Sequence, residues 1–174
     1  MPGNSSILKL IFAGFLIDII ADNMPGDSAS HSKHTPGIPS DYLKKYYPLA
    51  LQTQKLYAVP ADFTISQGGL ESRWDDSELA RQANNDFGIK ADKGWHGDTY
   101  KGYRKYASKQ DSFNDHAKFL IENSRYKPAF AYSDPLQFGK AVAAAHYATD
   151  PHYADKLAHF ISQVQLLKKK LNIS

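Results

Sequence analysis

The chain has 174 residues, of which 42% are hydrophobic and none is cysteine. This length suits one compact domain with a tail. The lack of cysteine excludes disulfides, thiolate metal sites and a cysteine nucleophile. The formal net charge of +3 is too small for the concentrated basic stripe that is typical of proteins that bind duplex nucleic acid. We therefore expect no nucleic-acid partner.

Residues 1–38 are predicted to lie outside the folded domain. Leu10 to Ala21 form an apolar run, interrupted by Asp18, that is shorter than the roughly 20 residues of a membrane span. The run half resembles the core of a signal peptide. Residues 23–40 are rich in proline, glycine and serine, which is the composition of a linker. A signal, an anchor and a helix docked on the domain remain alternatives for this segment, and the domain itself is predicted over residues 39–174.

From Ser40 onward, apolar residues recur at helical spacing. Ser40 is the predicted cap of a first helix, in which Pro48 predicts a kink or a fresh start. Pro60 suits the first position of a second helix. On that second helix Gln67 and Glu71 lie four residues apart, so they share one face.

The stretch QGGLESRW, residues 67–74, places two glycines inside this second helix. Each interior glycine costs a helix about 1 kcal/mol relative to alanine, so we expect a neighbouring group or a ligand to approach the backbone closely there. Glu71 precedes Trp74, and desolvation beside an apolar ring raises a carboxyl pKa towards about 6. Glu71 is therefore a candidate general acid, with a solvated surface glutamate as the alternative.

A short helix is predicted over residues 77–83, and the composition then changes. Residues 84–106 combine recurring aromatic residues with four glycines, which predicts a loop followed by a small β-hairpin or irregular lobe. Such a lobe on a helical scaffold is a common place for a functional site.

The remaining helices are predicted from their caps. Ser108 and Asp111 form a capping box, and Asp134 and Asp150 each precede a proline that suits the first turn of a helix. The last helix carries an apolar stripe from Leu157 to Leu171. Together these elements predict a mainly α (α+β) domain with a small β-lobe.

Several separated motifs occur in one order over about residues 40–171: QGGLESRW, SELA, NNDFGIKA, YRKY, DSFNDHAKFLIENSRY and HYATDPHYADKL. This order resembles the glucosaminidase domain of glycoside hydrolase family 73, which is found in bacterial autolysins and flagellar cell-wall hydrolases. The resemblance implies a lysozyme-like helical fold with a cleft beside the β-lobe. It also implies an endo-β-N-acetylglucosaminidase that cleaves peptidoglycan between N-acetylglucosamine and N-acetylmuramic acid. We expect a monomer, secreted or periplasmic, that acts on the bacterial cell wall without a metal or organic cofactor.

The resemblance assigns two catalytic positions by motif. Glu71 in LESRW matches the family's catalytic acid, which protonates the leaving glycosidic oxygen. Tyr147 in YATDP matches a tyrosine that lines the cleft near this acid, with a packed core tyrosine as the alternative. Under this hypothesis Gly68 and Gly69 let the catalytic helix pack closely within the body and fix Glu71 at the floor of the cleft.

Five further residues are predicted to bind or shape the substrate site. Asn85 and Phe87 belong to a segment that matches the family's NN.FG turn, which is expected to shape the groove. Trp95 and Tyr126 are candidate rings for stacking on sugars, with core packing as the alternative for each. Trp74 flanks the acid.

The second carboxylate is where the chain departs from the family. Family members usually carry a longer hairpin with an acidic residue that is proposed to activate water, and this chain has no glutamate there. Asp98 is our candidate, followed by Asp92 and Asp75, although a turn-stabilising role is equally expected for each. An inverting mechanism needs this second carboxyl, whereas a substrate-assisted mechanism would need Glu71 and groups that position the sugar, such as Tyr147.

Three alternatives remain at this stage. A muramidase or lytic transglycosylase would also use one acidic helix residue in a lysozyme-like fold. The short hairpin would also fit a module that binds glycan without turnover. An antibacterial toxin module would have an immunity protein as its partner.

Overall fold

The computed structural model describes residues 38–173. The apolar run Leu10 to Ala21 and most of the predicted linker lie outside the described residues. The described part contains six α-helices, a 3₁₀ helix and one two-stranded sheet: α1 Ser40–Tyr57, α2 Ala61–Ser72, α3 Glu78–Ala83, β1 Thr99–Tyr100, β2 Tyr103–Arg104, α4 Lys109–Glu122, the 3₁₀ helix Ser124–Ala131, α5 Pro135–Ala144 and α6 Tyr153–Leu171. The predicted fold class is confirmed.

Helix α1 runs through Pro48 without a break. The predicted fresh start at this proline is therefore wrong. Pro48 cannot donate to the carbonyl of Lys44, and both residues are exposed, so water can satisfy that carbonyl. The buried residues Tyr46 and Ala50 meanwhile keep the opposite face of the helix packed.

Helix α2 is the centre of the domain. Every residue of α2 except Asp62, Leu70 and Glu71 is buried. Helix α1 packs against α2 on one side, and α5 and α6 pack against it on another. A helix surrounded in this way has no single apolar stripe. Glu71 is thus one of three α2 side chains that reach the surface.

The β-lobe is a tight hairpin whose register pairs Thr99 with Arg104. Lys101 and Gly102 form its two-residue turn, with positive φ angles of 50° and 80°, as hairpins of this length require. The lobe is attached to α3 because the Lys101 Nζ and the Tyr100 hydroxyl both donate to Oε1 of Glu78, at 2.8 and 2.7 Å. The predicted small hairpin is confirmed.

Two of the four predicted helix caps are observed, those at Ser108 and Asp134, whereas Pro39 rather than Ser40 precedes α1 as its cap and makes no side-chain capping bond. Ser108 and Asp111 form a reciprocal capping box at α4, and Asp134 accepts from the backbone N–H of Gln137 at the start of α5. In each case a side-chain oxygen satisfies an N–H that has no partner within the helix.

The prediction of a helix starting at Pro151 is wrong. Helix α6 begins two residues later, at Tyr153. Asp150 instead accepts from the backbone N–H of His152 at 2.9 Å and from Lys156 Nζ at 2.8 Å. Its carboxylate stabilises the turn that leads into α6, which accounts for Asp150 without a catalytic role.

Candidate active site

Glu71 lies in the last turn of α2 and is partly exposed. Burial raises the pKa of its carboxyl to about 7, and a hydrogen bond from Tyr153 acts in the opposite direction. No charged side chain of the described residues contributes to this shift. Desolvation favours the neutral form of a carboxyl, so Glu71 retains its proton in a large share of molecules at neutral pH. That is the property required of a general acid.

Tyr153 connects Glu71 to the interior of the domain. Its hydroxyl lies 3.1 Å from Oε1 of Glu71 and 2.6 Å from Nε2 of Gln67. We call Gln67, Tyr153 and Glu71 the hydrogen-bond chain. The shared face of Gln67 and Glu71 was predicted, but Tyr153 was missed because it lies 82 residues from Glu71. The only sequence signal for it is its place beside the YATDP motif.

Tyr147 lies in the same region as Glu71. Its ring stacks on that of Tyr153, with centroids 5.8 Å apart and planes 17° apart. Burial raises the pKa of its hydroxyl well above the ordinary value, and the negative charge of Glu71 adds to this rise. The structure therefore brings Tyr147 near the candidate acid, with only 3% of the side chain exposed.

Trp74 folds back onto α2 rather than outward. Three consecutive residues, 73–75, have positive φ angles, and this left-handed turn reverses the chain after Ser72. The indole ring packs edge-on against Tyr42 and Phe160, with centroid distances of 5.3 and 5.0 Å. A Cβ on Gly69 would lie 2.9 Å from Cη2 of Trp74 and closer still to two other ring carbons.

Gly68 makes a second close approach, to Phe87. A Cβ on Gly68 would lie 3.2 Å from the Phe87 ring, which is tighter than ordinary van der Waals contact. Phe87 stacks on His116 with centroids 3.9 Å apart. The two glycines therefore allow two aromatic rings to contact the backbone of α2, which is the close approach that the sequence predicts.

Phe87 and Tyr126 are buried core residues, with 0% and 1% of the side chain exposed. A ring without an exposed face cannot stack on a sugar, so the predicted stacking role of Tyr126 is wrong and its core-packing alternative holds. Phe87 does not contact substrate directly, and the prediction that its segment shapes the groove stays a prediction. The NN.FG segment is a loop whose phenylalanine points inward. Tyr126 packs beside Tyr147, with centroids 5.9 Å apart.

Asn85 is also buried and stabilises the loop below the β-lobe. Its Nδ2 donates to the carbonyls of Ile89 and Arg104 at 2.9 and 2.8 Å, and its Oδ1 accepts from the N–H of Ile89 at 3.0 Å. Only 1% of it is exposed. The prediction that Asn85 contacts substrate is corrected to an internal role, since its amide satisfies backbone groups of the lobe.

Trp95 packs on its own loop and is partly exposed. Its Nε1 donates to the carbonyl of Asp98 at 2.8 Å, and the Arg104 guanidinium lies 4.9 Å from its ring centroid. A Cβ on Gly97 would lie 2.9 Å from Cε2 of the indole. Neighbours within the lobe thus already cover part of the ring that we predicted to stack on sugar.

Asp75, one of the candidate second carboxylates, is engaged in an ion-pair network. Its carboxylate accepts from the hydroxyl of Tyr46 and from Lys109 Nζ, the latter at 2.6 Å. Lys109 Nζ also donates to Asp86 Oδ1 at 2.8 Å. Burial acts to raise the pKa of Asp75, but the hydrogen bonds from Lys109 and Tyr46 outweigh it and lower that pKa. Asp75 therefore anchors the left-handed turn after Glu71.

The two lobe carboxylates differ from each other. Asp92 accepts from the N–H of Gly94 at 3.1 Å and pairs with Arg104 at 3.4 Å, so it stabilises its own turn. Asp98 is exposed, and its backbone carbonyl, rather than its carboxylate, accepts from Trp95 and Lys105. Asp98 therefore presents a carboxylate without an ion-pair partner among the described residues.

The part of the chain that the structure describes contains no group of three or more His, Cys, Asp or Glu side chains that could hold a metal ion. None of its helices is long and apolar enough to cross a membrane.

A family model for glucosaminidases, described as mannosyl-glycoprotein endo-beta-N-acetylglucosaminidase, matches residues 47–166. The chain belongs to the glucosaminidase family. This match confirms the resemblance seen in the ordered motifs, and it includes Glu71, Tyr147 and Tyr153.

Curated glucosaminidase relatives resemble the chain at moderate identity. The peptidoglycan hydrolase FlgJ of Vibrio parahaemolyticus is 31% identical over 159 residues, which cover 78% of this chain and 52% of that protein. The exo-glucosaminidase LytG of Bacillus subtilis is 34% identical over 132 residues, which cover 65% of this chain and 46% of that protein. The chain thus spans about half the length of these relatives.

A solved structure confirms the fold. The glycoside hydrolase domain of Salmonella typhimurium FlgJ superposes with a TM-score of 0.69 at 29% sequence identity, covering 77% of this chain and 93% of that one. The glucosaminidase fold of this chain is therefore the predicted helical body with a small β-lobe.

Proposed function

We propose that this glucosaminidase domain is a peptidoglycan hydrolase with Glu71 as its general acid. The observation that carries the proposal is the environment of Glu71: a residue at the end of a buried helix that is partly exposed as a whole, and whose carboxyl pKa burial raises to about 7. In the proposed reaction Glu71 donates its proton to the glycosidic oxygen as the bond from that oxygen to the anomeric carbon of N-acetylglucosamine breaks.

The second catalytic group is proposed among the three candidate aspartates by excluding those whose carboxylates form ion pairs. Asp75 and Asp92 are engaged in structural ion pairs, which leaves Asp98 as the candidate to activate water from the lobe. The alternative is attack by the 2-acetamido group of the substrate itself, with Tyr147 helping to position the sugar. NMR of the anomeric configuration of the first product distinguishes these two mechanisms. Water activated by Asp98 inverts the configuration, whereas participation of the acetamido group retains it.

We propose an endo mode of cleavage by a monomer that is secreted or periplasmic, because peptidoglycan lies outside the cytoplasmic membrane. FlgJ supports a peptidoglycan substrate, whereas the related LytG is named an exo-glucosaminidase. The size of the early products tests the mode: endo cleavage yields fragments of many lengths, and exo cleavage releases short units from the chain ends.

The deciding experiment digests purified peptidoglycan with the full chain and identifies the new reducing ends, after borohydride reduction, by mass spectrometry. Wild type is compared with Glu71→Gln and with Glu122→Gln, a control at an exposed glutamate in the last turn of α4. We expect reduced N-acetylglucosamine ends from wild type and from the control, and none from Glu71→Gln. Muramic acid ends would identify a muramidase or lytic transglycosylase, and bound glycan without products would identify a binding module.

A further inference from the structure

The hydroxyl of Tyr153 lies between two side chains of α2. Nε2 of Gln67 donates to the Tyr153 oxygen at 2.6 Å, and the Tyr153 hydroxyl donates to Oε1 of Glu71 at 3.1 Å. A tyrosine hydroxyl has one proton. Since the Gln67 amide fills an acceptor position on the tyrosine oxygen, that single proton points towards Glu71.

We propose that Tyr153, oriented by Gln67, is a positioning residue that keeps the transferable proton of Glu71 on Oε2. Oε1 accepts the tyrosine proton, so the protonated carboxyl carries its own hydrogen on the other oxygen. Tyr153 makes the one hydrogen bond that the Glu71 carboxyl has within residues 38–173, which leaves Oε2 to the substrate. This inference rests on the proposed function, because it names the oxygen from which Glu71 donates.

The direction of the hydrogen-bond chain follows from the two states that a general acid must adopt. If the Gln67 amide were reversed, its oxygen would accept the Tyr153 proton, and an ionised Glu71 would face only lone pairs of the tyrosine. Tyr153 would then bond to the protonated Glu71 alone and would hold the proton on Oε1. In the direction from Gln67 through Tyr153 to Glu71, Oε1 accepts from Tyr153 both before and after Glu71 releases its proton.

Few titratable groups act on Glu71, so its titration is easy to interpret. Within the described residues these groups are Tyr147, from the loop before α6, and Tyr153, from α6 itself. Burial raises the pKa of both hydroxyls well above the ordinary value. Both therefore stay neutral over the pH range in which Glu71 titrates. His116 packs edge-on against Tyr147, and burial lowers its pKa to about 3, so it stays neutral there too.

The test titrates the Glu71 carboxyl by carbon-13 NMR in the full chain, with Glu71→Gln to assign the signal. In Tyr153→Phe we expect the pKa of Glu71 to rise by roughly one pH unit, because the ionised form loses its hydrogen-bond donor. The pH at which kcat falls on the alkaline side should move upward with it. We expect kcat to fall by about tenfold with a smaller change in KM, because substrate contacts remain while the proton is no longer oriented.

Two further variants make the result specific. Gln67→Met retains the tyrosine hydroxyl and should raise the pKa of Glu71 by less than Tyr153→Phe does. It therefore tests the hydrogen-bond chain even if Tyr153→Phe fails to fold. Tyr47→Phe is the matched control, because it removes a buried tyrosine hydroxyl that donates to another α2 carboxylate, Asp62, at 2.7 Å. It should leave the titration of Glu71 unchanged.

The sign of the shift decides the proposal. A lower pKa of Glu71 in Tyr153→Phe would show that the hydrogen-bond chain runs in the reversed direction. An unchanged pKa would show that Tyr153 only packs. Either result overturns the inference. If wild type releases no sugar, the proposed function fails, whereas the NMR titration still measures the hydrogen bond independently.

Discussion

The indole ring of Trp74 lies directly against the backbone of α2 at Gly69, where a Cβ would come within 2.9 Å of Cη2 and closer to two other ring carbons. The left-handed turn at residues 73–75 makes this contact possible. Each non-glycine residue in that conformation costs about 1 kcal/mol or more. The contact with Trp74 and the ion pairs of Asp75 offset this cost, so the turn two residues after Glu71 is fixed by packing on both sides.

Gly69→Ala should destabilise the domain by about 3 kcal/mol, because the new methyl group overlaps an aromatic ring that other residues hold in place. Urea unfolding measures this change. Gly94→Ala is the control, since its Cβ would meet only Asp92 Oδ1 at an ordinary 3.5 Å, and its effect should be within about 0.5 kcal/mol. Equal stability of the two variants would contradict the close approach.

Glu71→Gln should stabilise the domain above neutral pH while it abolishes activity. The folded pKa of Glu71 is raised from 4.5 to about 7, so the folded state loses stability from this group as pH rises between those values. The amide has no such loss. We expect the variant to exceed wild type in free energy of unfolding by on the order of 2 kcal/mol at about pH 8. The difference should vanish below about pH 4.5, and a difference independent of pH would contradict the burial of Glu71.

His116 should make the domain sensitive to acid. It is fully buried with neither ring nitrogen bonded within the described residues, and burial lowers its pKa from 6.5 to about 3. The unfolded chain therefore binds the extra proton as pH falls below 6.5, and folded stability decreases over that range. For His116→Leu we expect the loss between about pH 7 and pH 5 to be smaller than in wild type by about 2 kcal/mol. Thermal unfolding at both pH values measures it, and equal losses would show that His116 is not held neutral.

Lys109→Met should destabilise the domain by about 3 kcal/mol, because it leaves the carboxylates of Asp75 and Asp86 without their shared cation. Asp86 is 1% exposed, and its pKa is already raised by burial to about 7. Lys101→Met removes an exposed ion pair with Glu78 and should change stability little. Comparable denaturation midpoints for the two variants would show that the buried pairs contribute no more than the exposed one.

The sequence by itself determined the local elements and the identity of the candidate acid. Caps such as Ser108 with Asp111 act within a few residues, so their helix starts could be predicted from spacing alone. The two glycines of α2 predicted a close approach to its backbone, and the family motifs singled out Glu71. The caps depend on short-range hydrogen bonding, which a linear sequence displays directly, whereas Glu71 was identified through the resemblance of its motif to the family.

Tertiary structure alone decided which aromatic and acidic side chains face inward. Phe87 and Tyr126 carry the same kind of ring that an exposed stacking site would need, and tertiary contacts bury them. Phe87 packs on His116, and Tyr126 packs on Phe119 and Tyr147.

Asp75 is excluded as the second catalytic carboxylate because it pairs with Lys109, which lies 34 residues away in the sequence. Tyr153, which donates to Glu71, lies 82 residues away from it. Periodicity identifies which residues share one helix face. The packing of the helices against one another decides which element covers that face and which distant group contacts a carboxyl there.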